Sequence, residues 1–338
     1  MLKQTLLWYA TSISAAVAFP HERTNFRNTT TPHLRVETFV NKDQSLNMVS
    51  SLIIGAEAAV IVDLPLAIPQ ALTLASWVRN TTDKPLVGAF TTHYHPDHYL
   101  SGASFLEQFP GTPFYAIPEA VEHIKTEFEY QAQNWSTAFG PQNIASHPIV
   151  PTPFNSTLFT LPGNEHTPIH LLHPFAGDTV DQTLFWLPST KTLIAGDTVF
   201  ASSFHLWLAD QATPALTSAW LATLSLIADL GPRTIVPGHA LSNTDFAGTS
   251  DLEYTRTYVE FFAAEVQAKG PDSYTPEEIY RLLDERFPGR AVEGGNAATI
   301  LNFTSQEFGR GGGRYTHMID LGQYTDERDL EGWELRKV

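Results

Sequence analysis

Three imidazoles and a carboxylate fall within six residues, in the run His93-Tyr94-His95-Pro96-Asp97-His98. Each buried polar ring must find a partner, so a run of this kind is hard to explain as core filling. In an extended segment, positions 93 and 95 point the same way, which lets both rings reach one metal ion. Pro96 then turns the chain, and Asp97 with His98 can face a second ion beside the first. Imidazole with carboxylate suits Zn²⁺ and other borderline divalent metals. The 338 residues include no cysteine, which excludes disulfides, thiolate metal sites, iron–sulfur clusters and a Cys nucleophile. Hard chemistry falls to His, Asp, Glu, Ser, Tyr or Lys, and the 13 histidines are the feature to explain.

The elements that must position this run can be read on either side of it. Residues 34–40, 48–54 and 59–63 carry β-type runs punctuated by Gly55 and by Asn41-Lys42-Asp43, so they read as neighbouring strands joined by turns. Helical spacing follows over 69–79. The near-continuous apolar run 86–92 then reads as a strand buried on both faces, leading straight into His93. The second half repeats the pattern, with strands expected at 169–172, 183–187 and 192–195. A helix comes next, with Thr213 as N-cap, Pro214 at its first position and Gly231-Pro232 as its stop. A short strand at 234–237 and a helix at 252–269 complete it. The stripe of Tyr254, Tyr258, Phe261 and Phe262 on that helix reads as core. Strands with helices between them in both halves indicate a layered α/β sandwich. Beyond Gly270 the signal weakens, and the glycine run 309–313 reads as a loop and not as a phosphate cradle.

With these elements in place, the histidine run resembles the signature of the metallo-β-lactamase-fold hydrolases. The resemblance covers roughly residues 34–269 and implies a four-layer αβ/βα sandwich with the run on the loop after a buried strand. Asn47 and Asp63 fall where the family has its early strands and their closing Asp. Gly196-Asp197 resembles the Gly-Asp that supplies a metal-bridging carboxylate, and Pro237-Gly238-His239 resembles the Pro-Gly-His that completes the second metal site. One position departs: Asp178 stands where the family usually has the third histidine of its first metal, with His173 as the alternative after a small shift of the loop. Acidic third ligands occur in the alkylsulfatase-like branch. The resemblance therefore implies two divalent metal ions, zinc first with manganese or iron also compatible, held by His93, His95, Asp97, His98, Asp178, Asp197 and His239. It also implies hydrolysis by a metal-bridging hydroxide, with Asp97 as the catalytic residue that orients the nucleophile and takes part in proton transfer. Two divalent ions against Asp97, Asp197 and a hydroxide leave one positive charge. Adding Asp178 brings the cluster to neutrality, which should weaken its polarisation of water and widen its metal tolerance. Tyr94, Tyr99, Phe204, His205 and Trp207 flank the motifs and either wall a substrate pocket or pack ordinarily, with His205 the best candidate for a substrate contact. His166 and His170 are expected outside the site.

A formal net charge of −16 argues against a nucleic-acid partner, which needs clustered cations. Lys3, the apolar run Leu6-Leu7-Trp8-Tyr9-Ala10 and the small residues Ala16-Val17-Ala18 have the order of a secretory signal peptide. Thr11, Ser12 and Ser14 interrupt what would otherwise be a membrane anchor of about 20 apolar residues. A signal peptide over 1–18 is thus expected, with a mature start at Phe19, a metallo-β-lactamase-like domain over 19–270, and a C-terminal extension over 271–338 packed on the same domain. Sequons at Asn28, Asn80, Asn134, Asn155 and Asn302 fit a secreted glycoprotein with no membrane contact after processing. The expected function is a secreted metal-dependent hydrolase of a small ester, lactone or amide. Its rivals are an alkylsulfatase-like hydrolase, a single-iron oxygenase of the same fold, disfavoured by the complete second metal site, and a non-catalytic metal- or ligand-binding protein.

Overall fold

The computed structural model describes residues 17–18, 33–243, 246–271 and 273–326. The expected leader apart from Val17 and Ala18, the mature start at Phe19, the sequon at Asn28 and the end of the extension lie outside them. The chain runs β1 (Val17–Ala18), β2 (Arg35–Asn41), β3 (Met48–Ile54), β4 (Ala59–Val62), α1 (Ile68–Thr81), β5 (Leu86–Phe90), α2 (Gly102–Leu106), β6 (Phe114–Ala116), α3 (Pro118–Phe139) and β7 (Thr152–Pro153). It continues through β8 (Leu158–Thr160), β9 (Ile169–Phe175), β10 (Gln182–Leu187), β11 (Thr192–Gly196), α4 (Pro214–Leu230), β12 (Thr234–Pro237), α5 (Ser250–Glu265), α6 (Pro276–Arg286) and α7 (Asn296–Phe308).

One sheet has the order β2-β3-β4-β5-β6-β7 and the other β1-β8-β9-β10-β11-β12. Period-two alternation explains how both faces of each sheet are buried. In β3 and β4, Ile53, Val60 and Val62 face the space between the sheets, together with Phe90 of β5 and Ile194 and Val236 of the other sheet. Their neighbours Leu52, Ile54, Ala59 and Ile61, and Leu193, Ala195 and Ile235 across the molecule, join the cluster that holds the helices. Phe90 sits at the centre of the inner layer, stacked on Phe159 at 5.1 Å and edge-on to Phe185. The result is an α/β sandwich of two sheets flanked by helices.

Most of the strands and helices expected from periodicity form within a residue or two of their expected bounds, but the strand expected at 169–172 continues to Phe175. Thr213 caps α4 by accepting a hydrogen bond from Leu216 N, and Gly231 closes it at φ 61°. The expected helix 252–269 begins at Ser250 and ends in a 3₁₀ turn over Gln267–Lys269. The aromatic stripe is core: Tyr258 and Phe262 are fully buried, and Tyr258 stacks on Phe287. Beyond Gly270, α6 starts with a capping box between Thr275 and Glu278. Ile279, Leu283 and Phe287, with Ile300 and Leu301 of α7, belong to the same core cluster as Trp220 and Phe262. β1 lies at the outer edge of the second sheet, parallel to β8, so cleavage after Ala18 would remove it. No helix among the described residues is long and apolar enough to cross a membrane.

Candidate metal centre

The site forms where β5, β11 and β12 end. After Phe90 the chain bends at residues 92–94, where an extended run was expected, and then makes a 3₁₀ turn over Pro96–His98. The rings of His93 and His95 still come together, at 4.7 Å between centroids, and His93 lies 4.3 Å from His98. Asp178 sits in the turn between β9 and β10, Asp197 directly after β11, and His239 just beyond β12. A backbone bridge between His239 and Met48 joins the two sheets at this point. Gly238 must lack a side chain, because a Cβ there would fall inside the van der Waals radius of Asp197 Oδ1. Gly196, at φ +51°, brings its backbone against Thr92 in the same way.

Two ligand groups result. His93, His95, Asp178 and Asp197 form one, and Asp97, His98 and His239 the other, with the candidate ligand atoms of each within 4.8 Å of one another. Asp197 is shared in geometry, since its Oδ1 lies 3.2 Å from His98 Nε2 and its Oδ2 3.2 Å from His239 Nε2. A loaded metal centre should show imidazoles whose second nitrogen is tied to a fixed acceptor while the first stays available. His93 Nδ1 meets Thr92 Oγ1 at 2.9 Å, and that hydroxyl and the Thr92 N–H are held by Asp63. His98 Nδ1 lies 3.0 Å from Asp63 Oδ2, and His239 Nδ1 donates to Leu46 O at 2.9 Å. His95 Nε2 faces Asp210 Oδ2 at 3.1 Å. On the inner side, His93 Nε2 is buried without a hydrogen bond. His98 Nε2, Asp197 Oδ1 and Asp178 Oδ2 are buried with only other members of the cluster facing them, at 3.2 Å between His98 and Asp197 and 3.0 Å from Asp178 to His95. Buried polar atoms of this kind are costly unless something binds them, and the donor set of nitrogen and oxygen atoms fits divalent metals. Asp63, at φ 66° and 1% exposed, holds both His93, through Thr92, and His98. Asp tolerates this left-handed backbone better than most residues.

The electrostatics follow from burial and mutual proximity. Burial drives His93 well below the usual histidine range, helped by the neighbouring His98 and His95. Burial also opposes charge on His95, His98 and His239, but the carboxylates outweigh it. Asp178 and Asp210 push His95 well up, Asp197 and Asp63 do the same for His98, and His239 is raised to about 10, with Asp197 the main opposing cause. Burial lifts Asp178 to about 8, whereas His239 and His98 hold Asp197 well below the carboxylate range against its burial. The centre thus concentrates negative charge that cations must offset, and divalent metals would take the place of protons on its imidazoles.

Above the centre lies a cavity of about 30 Å³, lined at its base by His95, Asp97, Asp197 and His239 and walled by Leu46, Trp135, Trp207, Ile300 and Tyr315. Of the residues expected to wall a substrate pocket, Trp207 does so. Tyr94 lines a smaller neighbouring cavity with Glu127, Gln131 and Asp210, and its hydroxyl bonds Thr179 Oγ1. Phe204 does not line this cavity; like Phe200, it stacks on the His239 ring. Tyr99 is wholly buried core. The expectation of a substrate contact at His205 is corrected: its ring points into the helical layer, 2.9 Å from Tyr258 Oη and 3.7 Å from Asp284, and burial lowers its pKa to about 4. His173 is on β9 and belongs to neither ligand group, so the structure brings Asp178 to the first group in preference to it. His166 and His170 also lie outside. Asn80, Asn155 and Asn302 are exposed, and Asn134 is half-buried in α3.

Asp210, Trp135, Ile300 and Tyr315 were not anticipated. The last two come from the C-terminal segment, whose helix start was marked by Thr275-Pro276 and Glu278, but no local pattern points from there to the metal centre.

Residues 46–239 match the family model of the Metallo-beta-lactamase superfamily. The chain belongs to this superfamily, whose members are generally hydrolytic metalloenzymes. Among solved structures, a metallo-beta-lactamase family protein from Thermus thermophilus is similar at 19% identity and a TM-score of 0.53, over 80% of this chain and 91% of that one. The DIM-1 metallo-beta-lactamase is 20% identical with a TM-score of 0.45, over 69% and 99%. A metallo-beta-lactamase from Pontibacter korlensis is 18% identical, also at 0.45, over 68% and 99%. A search of the curated proteins finds no match.

Proposed function

We propose that this chain is a secreted hydrolase that uses two divalent metal ions to cleave a small, uncharged ester, lactone or amide. The observation that carries the reading is the pair of ligand groups sharing Asp197 at the base of an aromatic-walled cavity. When bound there, the metals would supply Lewis acidity toward a carbonyl and make water acidic enough to attack at neutral pH. His93, His95, Asp178 and Asp197 would hold one, and Asp97, His98 and His239 the other. Asp97 is the most exposed of the three carboxylates, with 10% of its side chain accessible against 2% for Asp197 and none for Asp178. Its Oδ2 faces His239 at 3.2 Å, and its carboxylate would take and return the proton of the attacking water. Leu46, Trp135, Trp207, Ile300 and Tyr315 exclude bulk water and orient an apolar substituent.

No Lys or Arg is among the described residues lining the cavity, and with Asp178 as a ligand the loaded centre carries little net charge. Both points favour an uncharged substrate over an alkyl sulfate. The same carboxylate supports activity with manganese or iron beside zinc. Secretion rests on the leader over 1–18, and glycans on the exposed Asn80, Asn155 and Asn302. A panel of lactones, esters, amides, β-lactams and alkyl sulfates, each run with and without chelator, tests the reading. Chelator-sensitive turnover of an uncharged carbonyl substrate is expected, restored by zinc and also by manganese. Turnover of sulfate esters alone, or turnover indifferent to chelation, would overturn it.

A further inference from the structure

The four imidazoles of the centre are not supported alike. His93 and His239 hydrogen-bond their supports through Nδ1, and His98 Nδ1 lies 3.0 Å from Asp63 Oδ2, so each of the three leaves Nε2 toward the ligand cluster. His95 is inverted, with Nε2 3.1 Å from Asp210 Oδ2 and Nδ1 3.0 Å from Asp178 Oδ2, inside the first ligand group. A carboxylate beyond the ring selects the tautomer, because it accepts the proton on Nε2 and leaves the Nδ1 lone pair free. Asp210 is 3% exposed and held in place. Its Oδ1 accepts from Trp207 Nε1 at 2.8 Å, and His317 Nδ1 lies 3.7 Å from that same oxygen.

The segment that carries Asp210 also grips the other side of the first group. Gln211 Nε2 donates to the backbone carbonyls of Gly177, at 3.0 Å, and Asp178, at 2.7 Å. Leu208 N is bonded to Thr304 Oγ1 of α7, and Gln211 O accepts from Gln267. One short stretch, from Trp207 to Gln211, therefore touches a metal-ligating imidazole, the loop of the departing ligand Asp178, and the indole that walls the cavity. The second group meets the wall through a backbone carbonyl, where His239 Nδ1 donates to Leu46 O at 2.9 Å, and not through a shared carboxylate.

We propose that Asp210 is a positioning residue for the first metal. It fixes His95 with Nδ1 toward the ion, and through its other oxygen sets Trp207 against the substrate in register with that ion. The inference rests on the metal-dependent reading above. Its consequence is that metal retention at one site and selectivity for the apolar part of the substrate share a single carboxylate.

Zinc titration of the full chain against a competing chelator tests it, in the wild type and in Asp210→Asn and Trp207→Phe. In Asp210→Asn, one of two zinc equivalents should bind about 10- to 100-fold more weakly, the usual effect of removing an outer-shell partner, while the other is unchanged. Trp207→Phe should keep both affinities and raise KM with little change in kcat. Nitrogen NMR of the zinc-loaded wild type should show His95 bound through Nδ1, with its proton on Nε2. Wild-type affinity for both equivalents in Asp210→Asn would overturn the proposal, as would binding of His95 through Nε2, which is read without any variant. A wild type that takes up no zinc would instead bring down the metal-dependent reading, and this one with it.

Discussion

The ligand floor of the site and the aromatic wall above it come from different parts of the chain and are held in different ways. Floor residues sit at or just beyond the ends of β5, β11 and β12, or in the turn after β9, where the backbone is fixed by the sheets. Gly196 and Gly238 allow these segments to touch, and the buried Asp63 locks the histidine loop. Wall residues arrive singly: Leu46 from a turn, Trp135 from α3, Trp207 from the loop before α4, Ile300 from α7 and Tyr315 from the loop beyond it. They are tied by side chains, as in the pairing of Tyr315 Oη with Gln131 and of Trp207 with Asp210. Under the proposed function, the reaction type is anchored in the sheets and the choice of substrate falls to segments outside them, of which those carrying Leu46 and Trp207 also touch the floor.

Damage to the floor should show the largest effects. Asp197→Ala removes the carboxylate that both groups share, so both metals should be lost and turnover should fall by at least about a thousandfold, since metals supply several kcal/mol of barrier lowering. Metal content and turnover on one preparation check this, and a zinc-replete, active variant would dissolve the distinction between floor and wall. Asp97→Asn should lower kcat by about 10²- to 10⁴-fold with the first metal retained and thermal stability preserved. Damage to the wall should look different. Tyr315→Ala should raise KM about tenfold for a bulky apolar substrate, as expected for the loss of one apolar contact, with metal content unchanged.

The smallest effect belongs to Glu127, which stands behind the wall and is bonded by Gln131. Burial lifts its pKa from 4.5 to about 8. A carboxyl raised in this way contributes stability that is full below pH 4.5 and fades as pH rises through 8. Glu127→Gln should therefore melt at a higher temperature than the wild type at pH 8 and lose that advantage near pH 4, with turnover little altered. Melting curves at the two pH values decide it, and an equal offset at both would show that folding leaves the pKa of this carboxyl unchanged.

The floor was legible in the sequence because metal ligation packs its residue types into short segments at strand ends. The run from His93 to His98 carries its chemistry locally, whereas Asp197, His239 and Asp178 could be placed only by the resemblance to the family's motifs and their order along the chain. One step reached its result by the wrong route: His93 and His95 meet across a bend, not along an extended strand. The wall was mostly illegible. Asp210 is 115 residues from the imidazole it holds, and no spacing rule links them. His205 lies eight positions beyond Asp197, but the chain turns its ring toward α5 and α6. In α7, the N-cap is Gly295, with no side-chain cap to announce the start.

The seven candidate ligands span from residue 93 to residue 239 and come from both sheets. In a chain without a single cysteine, ions bound there would act as staples that exist only in the folded state, their binding free energy adding directly to the stability of the fold. The staple cannot close until β12 and His239 have been made, so a nascent or truncated chain ending before that point carries every ligand but one and can complete only half of the centre.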